Sequence, residues 1–499
     1  MTAEKIQTAT REEIVEALLS SQSRITELEH ELSFLKRQLF GSKSERFVPS
    51  NDQQCTLPLD MSDEPVQEDD FMEQDISYKR RTKRSGNGKR GHSRETMPTH
   101  LPTKDIRIEP KEDVSGATHI GDDITWEYEY QRGKLFIKRY IRPKYAKPKG
   151  DGIISGTLPP RPIEKGNFGP GFIANLINEK FVYHIPLDRQ RKRFFSGSNV
   201  ELAESTLCGL VRQGSFWFEP VYRKHVQAVR NSPYIQVDET PIPVLVKDGR
   251  GKTHKGWFWV YYDPLSNIVV FDYQPGRGRA GPNKFLANYT GTVQVDGYTG
   301  YAELLRRTEI IWAACMAHVR RKFVESMDND RVRSRHALKV IGIWFERESL
   351  YKNDNLGSEE KLARRVEYTV PEMKSFHQWL KEQLPQVLPQ NRIGKATAYA
   401  LNQWNGFEPF KTDGRIELSN NFVENAIRPV VLGRKNYLFK GSHEAAQRAA
   451  IIYSLAGTVK RHGMDSFVYF KELLTRLPGA KESEIDNYLP WNMNPEAPG

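Results

Sequence analysis

The amino-acid sequence predicts a mixed α/β domain over residues 231–445, and three observations support this fold class. Three strand-like segments follow one another at 234–245, 256–262 and 267–273. Further segments then alternate: helix 282–289, strand 292–296, helix 301–306, strand 310–314 and a helix from about residue 317. A helical insertion, about 331–405, interrupts the domain. Consecutive antiparallel strands followed by alternating helices and strands are typical of a mixed α/β architecture.

The residues before this domain predict a coiled coil and a linker. Residues 12–40 repeat Leu18, Ile25, Leu32 and Leu39 every seven positions. This heptad pattern predicts a coiled coil that forms a homo-oligomer, with a single amphipathic helix packed on its own protein as the alternative. Residues 48–100 are acidic and then basic, as charged linkers are. The basic part could clamp a phosphate backbone or simply be solvated.

Smaller accessory segments flank the central domain. A small β-rich module is predicted at 104–150, and a C-terminal helical segment and tail at 446–499. Residues 165–230 predict a helical DNA-binding segment, with helices at 187–194 and 202–212 and a turn at Gly197-Ser198. Any helical hairpin shares that pattern. Its first helix carries the basic residues Arg189, Arg191, Lys192 and Arg193.

Composition narrows the function classes. The formal charge of +11 favours a polyanionic partner such as nucleic acid. Three scattered cysteines argue against a disulfide framework and fit a reducing cytoplasm. No run of about 18 apolar residues predicts a membrane span, and the polar N-terminus lacks the apolar core of a signal peptide. We therefore expect a cytoplasmic protein.

A four-residue pattern, apolar-Gln-Val-Asp, occurs twice in the central domain. The first copy ends in Asp238 and the second in Asp296. The alternation predicts strands with one buried face, which leaves each aspartate free to face a site. The two acids converge if the first strand lies beside the fourth. Glu424, on a helix that Ser419 or Asn420 caps, is the candidate third acid.

Three carboxylates on separate elements suit a magnesium site. Mg²⁺ (or Mn²⁺) prefers hard oxygen ligands, and substrate phosphate commonly completes its coordination shell. A pair of such ions can clamp both oxygens of an in-line phosphoryl displacement. Asp238, Asp296 and Glu424 are therefore predicted to bind the metal and to cut DNA.

Basic and polar residues near these acids are candidate DNA contacts. Interleaved cations and aromatic rings, here with Tyr437 and Phe439, suit a nucleic-acid backbone, although both rings could equally be strand core. Lys440 extends this basic rim. The candidate contacts are His318, Arg320, Arg321, Asn421, Arg428, Arg434 and Lys435.

Cys315 and His318 raise the question of zinc. The two residues lie three positions apart, and together with Cys208 they could suggest a zinc site, but the other ligands are not evident from the sequence. A buried cysteine beside a helix-start histidine is the favoured interpretation, and no zinc is expected.

Several longer stretches resemble transposases of the insertion-sequence-66 type, which belong to the class with an Asp-Asp-Glu triad. The resemblance runs from the N-terminal heptads to Leu489-Pro490-Trp491. It is carried by residues 236–240, 295–301, 317–323, 419–429, 433–437 and 441–442, and by 184–187 with the following arginines.

The resemblance implies a ribonuclease-H-like core with a helical insertion before the glutamate. It implies Mg²⁺-dependent cleavage at the terminal inverted repeats of an element, followed by attack of the freed 3′-hydroxyl on target DNA. Asp238, Asp296 and Glu424 carry over as the triad, and 184–193 as the DNA-binding segment. Small companion proteins of the same element and a nucleoid-associated, bacterial setting are further implications.

One departure from the family pattern concerns zinc. Paired CxxC motifs often follow the family's coiled coil, whereas here 145–150 stands where the second pair would be. No zinc is therefore expected in that module.

Two alternative functions stay open. One is a non-catalytic DNA-binding protein derived from a transposase, and the other is a general nuclease or resolvase on the same core.

Overall fold

The computed structural model describes residues 101–115, 117–131, 133–147, 152–246 and 253–493. The predicted coiled coil at 12–40 and the linker at 48–100 lie outside these residues. The described part begins with a four-stranded sheet made of β1 (Thr103–Arg107), β2 (Thr118–Gln131), β3 (Lys134–Ala146) and β4 (Ile153–Ser155). Strands β2 and β3 form a long antiparallel hairpin, and β1 runs parallel to β3. The strands predicted in 104–150 are thus present.

Four helices follow this sheet: α1 (Pro170–Phe181), α2 (Leu187–Ser198), α3 (Glu204–Phe216) and α4 (Glu219–Asn231). The predicted turn at Gly197-Ser198 was wrong, because both residues belong to the last turn of α2. The chain reverses at Asn199, whose φ of 48° is left-handed. Asparagine tolerates this conformation better than most residues, which explains the turn one residue later than predicted.

The central domain contains a five-stranded sheet with the order β7-β6-β5-β8-β9. Its antiparallel strands are β5 (Tyr234–Leu245), β6 (Thr253–Asp263) and β7 (Ile268–Gln274). Strands β8 (Gly291–Gln294) and β9 (Ile310–Ala313) continue on the other side of β5 in parallel. A short helix, α5 (Ala280–Phe285), precedes β8, and the helix predicted at 301–306 is two 3-10 turns.

Both faces of this sheet are buried. On one face Ile235, Val237 and Tyr261 join a core with residues of α4 and α5. The opposite face packs against α12 (Asn421–Asn436) and α13 (His443–Arg461). Helix α13 also covers the edge strand, because the hydroxyls of Ser454 and Thr458 accept the β7 backbone N–H groups of Phe271 and Val269. An exposed strand edge would otherwise invite pairing with another chain.

The insertion is helical and has its own core. After α6 (Met316–Glu325) come α7 (Arg331–Asn353), α8 (Ser358–Arg364), α9 (Val370–Gln383), α10 (Arg392–Asn402) and α11 (Glu408–Thr412). Trp344, Phe376 and Phe407 bury their rings against Met316 and Phe323 of α6. This core fixes the insertion to the edge of the sheet that carries β9.

The last α-helix among the described residues is α14 (Ser466–Arg476), which packs against α1. Tyr128 and Ile137 of the first sheet share one continuous core with residues of α1 and α14. The boundaries assigned to the individual domains remain predictions. None of the helices in the described ranges is long and apolar enough to span a membrane.

Candidate active site

The two copies of the repeated pattern lie side by side. Strands β5 and β8 are parallel neighbours, with Ile235 opposite Val293 and Gln236 opposite Gln294. Continued for two more residues, this register places Asp238 opposite Asp296, which lies just past the end of β8. The condition for convergence, a first strand beside the fourth, is therefore met.

The glutamine of the first copy fixes the element that carries Glu424. Gln236 is fully buried. Its Nε2 donates hydrogen bonds to Gln294 Oε1 at 2.9 Å and to the Ser419 carbonyl at 3.0 Å. Its Oε1 accepts the backbone N–H of Val423 at 3.2 Å. A buried side-chain amide with both ends bonded holds the N-terminus of α12 against β5.

The glutamine of the second copy extends the same network. Gln294 is also fully buried, and its Nε2 donates to the carbonyls of Ala314 at 3.0 Å and Glu417 at 2.8 Å. The Tyr234 hydroxyl donates to Gln294 Oε1 at 2.5 Å. The prediction of one buried face was wrong, because the segment before α12 covers the polar face as well.

Glu424 lies in the first turn of α12, where a negative charge is favoured by the helix dipole. Val423, Ala426 and Ile427 bury the inner side of the helix. Asn420 occupies the N-cap position as predicted, but its side chain makes no cap hydrogen bond. Both polar side-chain atoms of Asn420 are buried with no hydrogen-bond partner among the described residues.

The acids form one electrostatic group. Burial raises the pKa of Asp238 well above its ordinary value. The carboxylates of Glu239, Asp296 and Glu424 raise this pKa further. Each of the three carboxylates therefore lies close enough to Asp238 to disfavour its negative charge. Such a group has an excess of negative charge that a cation or a proton must offset.

Glu239, which sequence reasoning missed as a site residue, already has its compensating partners. The Arg277 guanidinium donates to Glu239 Oε1 at 2.8 and 3.0 Å, and the Tyr301 hydroxyl donates to Oε2 at 2.7 Å. Arg277 also stacks on the ring of Tyr298, 3.9 Å from its centroid. Glu239 follows Asp238 directly, but its basic partner comes from a distant loop that no local pattern indicates.

A second group of candidate ligands includes Glu424. Single ligand atoms of Cys315, His318 and Glu424 all lie within 4.8 Å of one another. His318 Nε2 is 4.0 Å from Glu424 Oε1. Burial raises the pKa of the Cys315 thiol to about 12 and lowers the pKa of His318, although Asp296 and Glu424 oppose the latter shift. Cys208 is exposed on α3 and is not part of this group.

The insertion contacts the loop that carries Asp296. Asp296 Oδ1 accepts the backbone N–H of Tyr298 at 3.0 Å, which shapes the turn. A Cβ added at Gly297 would lie 2.8 Å from the ring of Tyr399 on α10. Glycine is therefore needed for this close approach.

The predicted DNA contacts on α2 differ in their surroundings. Arg189 is exposed. Arg191 and Lys192 pair with Asp188 at 3.0 and 2.7 Å, and Arg193 pairs with Glu179 at 3.1 Å. These pairs are partly or fully exposed, so DNA phosphates can compete for the cations at little cost.

The remaining candidates lie on α6, which carries His318, and on α12, which carries Glu424. Arg320 and Arg321 are half-buried on α6 beside His318. On α12, Asn421 is the half-buried first residue, while Arg428 and Lys435 are exposed.

The C-terminal end of α12 corrects one expectation about the basic rim. Arg434 donates a hydrogen bond to the Pro241 carbonyl and is half-buried. Lys440 is 5 % exposed, and its ammonium lies 4.5 Å from the Tyr437 ring centroid and 5.3 Å from that of Tyr453. Placing Lys440 on the rim was therefore wrong, because a backbone pairing with Val244 of β5 draws it into the core.

Comparisons with known proteins identify the family. The family model described as Transposase IS66 family matches residues 165–448, and the family model described as IS66 C-terminal element matches residues 454–491. A third family model, described as Transposase C of IS166 homeodomain, matches residues 27–106. The first match alone covers more than half of the chain and includes every acid of the site. The chain therefore belongs to the IS66 family of transposases, and membership implies DNA binding.

Three relatives of similar length come from Sinorhizobium fredii (strain NBRC 101917 / NGR234). The uncharacterized protein y4jD is 28% identical over 498 residues, covering 95% of this chain and 96% of the relative. The uncharacterized proteins y4hP and y4qI are each 29% identical, covering 94% and 96% of this chain and 88% and 91% of their own lengths.

Proposed function

We propose that this chain is an active DNA transposase in which Asp238, Asp296 and Glu424 bind Mg²⁺ or Mn²⁺. The reaction is cleavage at the ends of its insertion element, followed by joining of the 3′-hydroxyl to target DNA. The observation that carries this proposal is the group of carboxylates around Asp238, with the two aspartates in register on neighbouring parallel strands.

The residues present fit a divalent cation. All three proposed ligands offer carboxylate oxygens, which Mg²⁺ and Mn²⁺ prefer. Glu424 Oε1 is buried and has no hydrogen-bond partner among the described residues. Asp238 is surrounded by like charge, which makes its carboxylate a strong site for a cation. Both features are expected of a ligand set and are unfavourable for a purely structural group of acids.

Each side chain has a distinct task in this proposal. When bound, divalent ions polarise the scissile phosphate and lower the pKa of the attacking water or hydroxyl. Asp238, on which both other acids act, is proposed as the ligand that the bound ions share. Arg277 and Tyr301 keep Glu239 bonded and away from the ligand set. Arg428 and Lys435 are exposed beyond Glu424 and bind the phosphates of the strand to be cut.

The topology supports a ribonuclease-H-like core as part of the proposal. Three antiparallel strands are followed by two strands parallel to the first, and acids lie on the first strand and after the fourth. A helix after the insertion supplies the third acid. The self-association of 12–40, the companion proteins and the nucleoid setting remain predictions.

The decisive experiment uses the full chain and a labelled duplex carrying the terminal repeats of its own element. We expect cleavage with Mg²⁺, none with a chelator, and none from the Asp238→Asn variant, which still binds the duplex. Asp272→Asn is the matched control, because Asp272 is a half-buried acid on β7 whose hydrogen-bond partner is Gln274. This control should cut like the wild type.

Three results contradict the proposal in different ways. Full strand transfer by Asp238→Asn removes the role of the acids. Equal cutting of a random duplex indicates a general nuclease or resolvase. Tight binding of the terminal repeats without cleavage under any divalent ion indicates a DNA-binding protein that is not catalytic.

A further inference from the structure

Cys315, His318 and Glu424 form a compact set of three different ligand types. Cys315 precedes α6, His318 lies in its first turn, and Glu424 lies in the first turn of α12. Two helix N-termini therefore meet at this point. Their ligand atoms lie within 4.8 Å of one another, and His318 Nε2 is 4.0 Å from Glu424 Oε1. Tetrahedral coordination at about 2.0–2.3 Å separates ligand atoms by roughly 3.3–3.7 Å, so a small contraction completes the set.

The surrounding polar atoms are poorly satisfied. His318 Nδ1 and Glu424 Oε1 are buried, and neither has a hydrogen-bond partner among the described residues. The same holds for Nδ2 and Oδ1 of Asn420, a fully buried residue whose backbone N–H donates to Cys315 Sγ at 3.5 Å. Buried polar groups without partners are rare in folded proteins and call for a ligand or an ordered water.

We propose that Cys315, His318 and Glu424 bind one divalent transition ion of the zinc type. One thiolate, one imidazole and one carboxylate suit Zn²⁺ or Co²⁺ and are poor ligands for Mg²⁺, which does not favour sulfur. Three protein ligands leave a fourth position for water. Binding displaces the thiol proton of Cys315, which passes to the buffer, and it changes no oxidation state.

This inference rests on the proposed function for its consequence, because Glu424 belongs to both ligand sets. An ion held by Cys315 and His318 draws the Glu424 carboxylate to itself and away from Asp238 and Asp296. Zinc-type ions are therefore inhibitors that compete with Mg²⁺ for a shared residue. Because thiolate and imidazole bind Zn²⁺ far more tightly than Mg²⁺, low concentrations of Zn²⁺ should act in the presence of excess Mg²⁺.

The test of the site itself needs no catalysis. Co²⁺ is added to the full chain in a background in which Cys55→Ser and Cys208→Ser leave Cys315 as the single thiol. We expect a thiolate-to-cobalt charge-transfer band in the near ultraviolet that saturates at one ion per chain. The matched control adds Cys315→Ser, a near-isosteric change, and should lose the band.

A second variant distinguishes the loss of a metal ligand from a folding defect. His318→Gln keeps the thiol and lies at a half-buried position. It should keep a weak band but lower Co²⁺ affinity by more than about 100-fold, since even outer-shell partners change metal affinity 10–100-fold. Unchanged affinity in His318→Gln, or a band that survives Cys315→Ser, would overturn the proposal. Circular dichroism and the midpoint of thermal unfolding check that each variant is folded.

The inhibition is measured separately, as the cleavage rate with Zn²⁺ divided by the rate without it for each variant. The wild type should be inhibited, and Cys315→Ser should need at least about 100-fold more Zn²⁺ for the same fractional loss. Equal sensitivity contradicts the shared role of Glu424. A cobalt band without any Mg²⁺-dependent cleavage contradicts the proposed function alone, whereas cleavage without a band contradicts this inference alone.

Discussion

The charge of Asp238 should make the candidate site a source of instability when no cation is bound. Burial and the carboxylates of Asp296 and Glu424 raise its pKa, so ionisation is less favourable in the folded chain than in the unfolded chain. At a pH below the ordinary aspartate value both states are protonated and no penalty exists. The penalty grows as the pH rises towards the raised value and is complete above it. Asp238→Asn removes this penalty while keeping the oxygen that accepts the Glu239 N–H.

The size of the effect follows from the neighbours. Glu239 is offset by Arg277, which leaves Asp296 and Glu424 as the acids acting on Asp238 that have no arginine or lysine partner among the described residues. A like charge close to a partly exposed carboxylate costs on the order of 1 kcal/mol. Allowing for solvent screening at a half-buried site, we expect Asp238→Asn to gain about 1–2 kcal/mol at neutral pH. For a chain of this size that corresponds to a rise of about 1–3 °C in the unfolding midpoint.

Saturating Mg²⁺ should make the wild type more stable than Asp238→Asn. An ion at 100 times its dissociation constant stabilises the folded state by about 2.7 kcal/mol, which exceeds the advantage of the variant, and the variant loses most of that gain. The assay is thermal unfolding of wild type, Asp238→Asn and Asp272→Asn at acidic and mildly alkaline pH, each with a chelator or with Mg²⁺. Asp272 has a pKa raised by burial, but its charged neighbours are Lys284 and Arg230. The reasoning is refuted if Asp238→Asn gains no stability in the chelator at alkaline pH, or responds to Mg²⁺ as fully as the wild type.

Three further outcomes are expected. Gln294→Leu leaves the carbonyls of Ala314 and Glu417 without this donor and should lower the free energy of unfolding by about 2–4 kcal/mol in urea titrations; a change below about 0.5 kcal/mol would contradict the network. Gly297→Ala forces Tyr399 away and should slow cleavage by about 10-fold or more with DNA affinity nearly unchanged. Gly278→Ala, where no atom lies within 4 Å of the added Cβ, is its control and should cut normally. Arg189→Ala should weaken binding of any duplex and reduce the slope of log affinity against log salt by about 1, which salt titration measures; an unchanged slope removes Arg189 from the DNA contact.

Strand positions could be predicted from sequence because their alternation is local. Strand β5 begins and ends at the predicted residues, and β7 differs by one residue at each end. The pairing of β5 with β8 was stated as a condition, since parallel neighbours far apart in sequence leave no local signal. The repeated pattern still indicated which residues would be level with each other.

The burial of the glutamines could not be predicted in this way. A polar residue on a strand normally faces solvent, and what covers Gln236 comes from a segment 183 residues further along the chain. The same limit applies to Cys315 and His318, whose third neighbour Glu424 lies on another helix. Lys440 was predicted to be a surface cation because the three aromatic rings around its ammonium come from separate parts of the chain.

The hydrogen bonds that position Glu424 join residues 183 and 187 positions apart, so the proposed ligand set is complete only after residue 424 has been synthesised. A polypeptide still emerging from the ribosome carries both aspartates long before the helix of the glutamate exists. In the proposed transposase, a copy that ends before Glu424 lacks the third ligand and should not cleave DNA. The helical insertion lies between the second aspartate and the glutamate, so its length adds to the interval between the synthesis of these two residues.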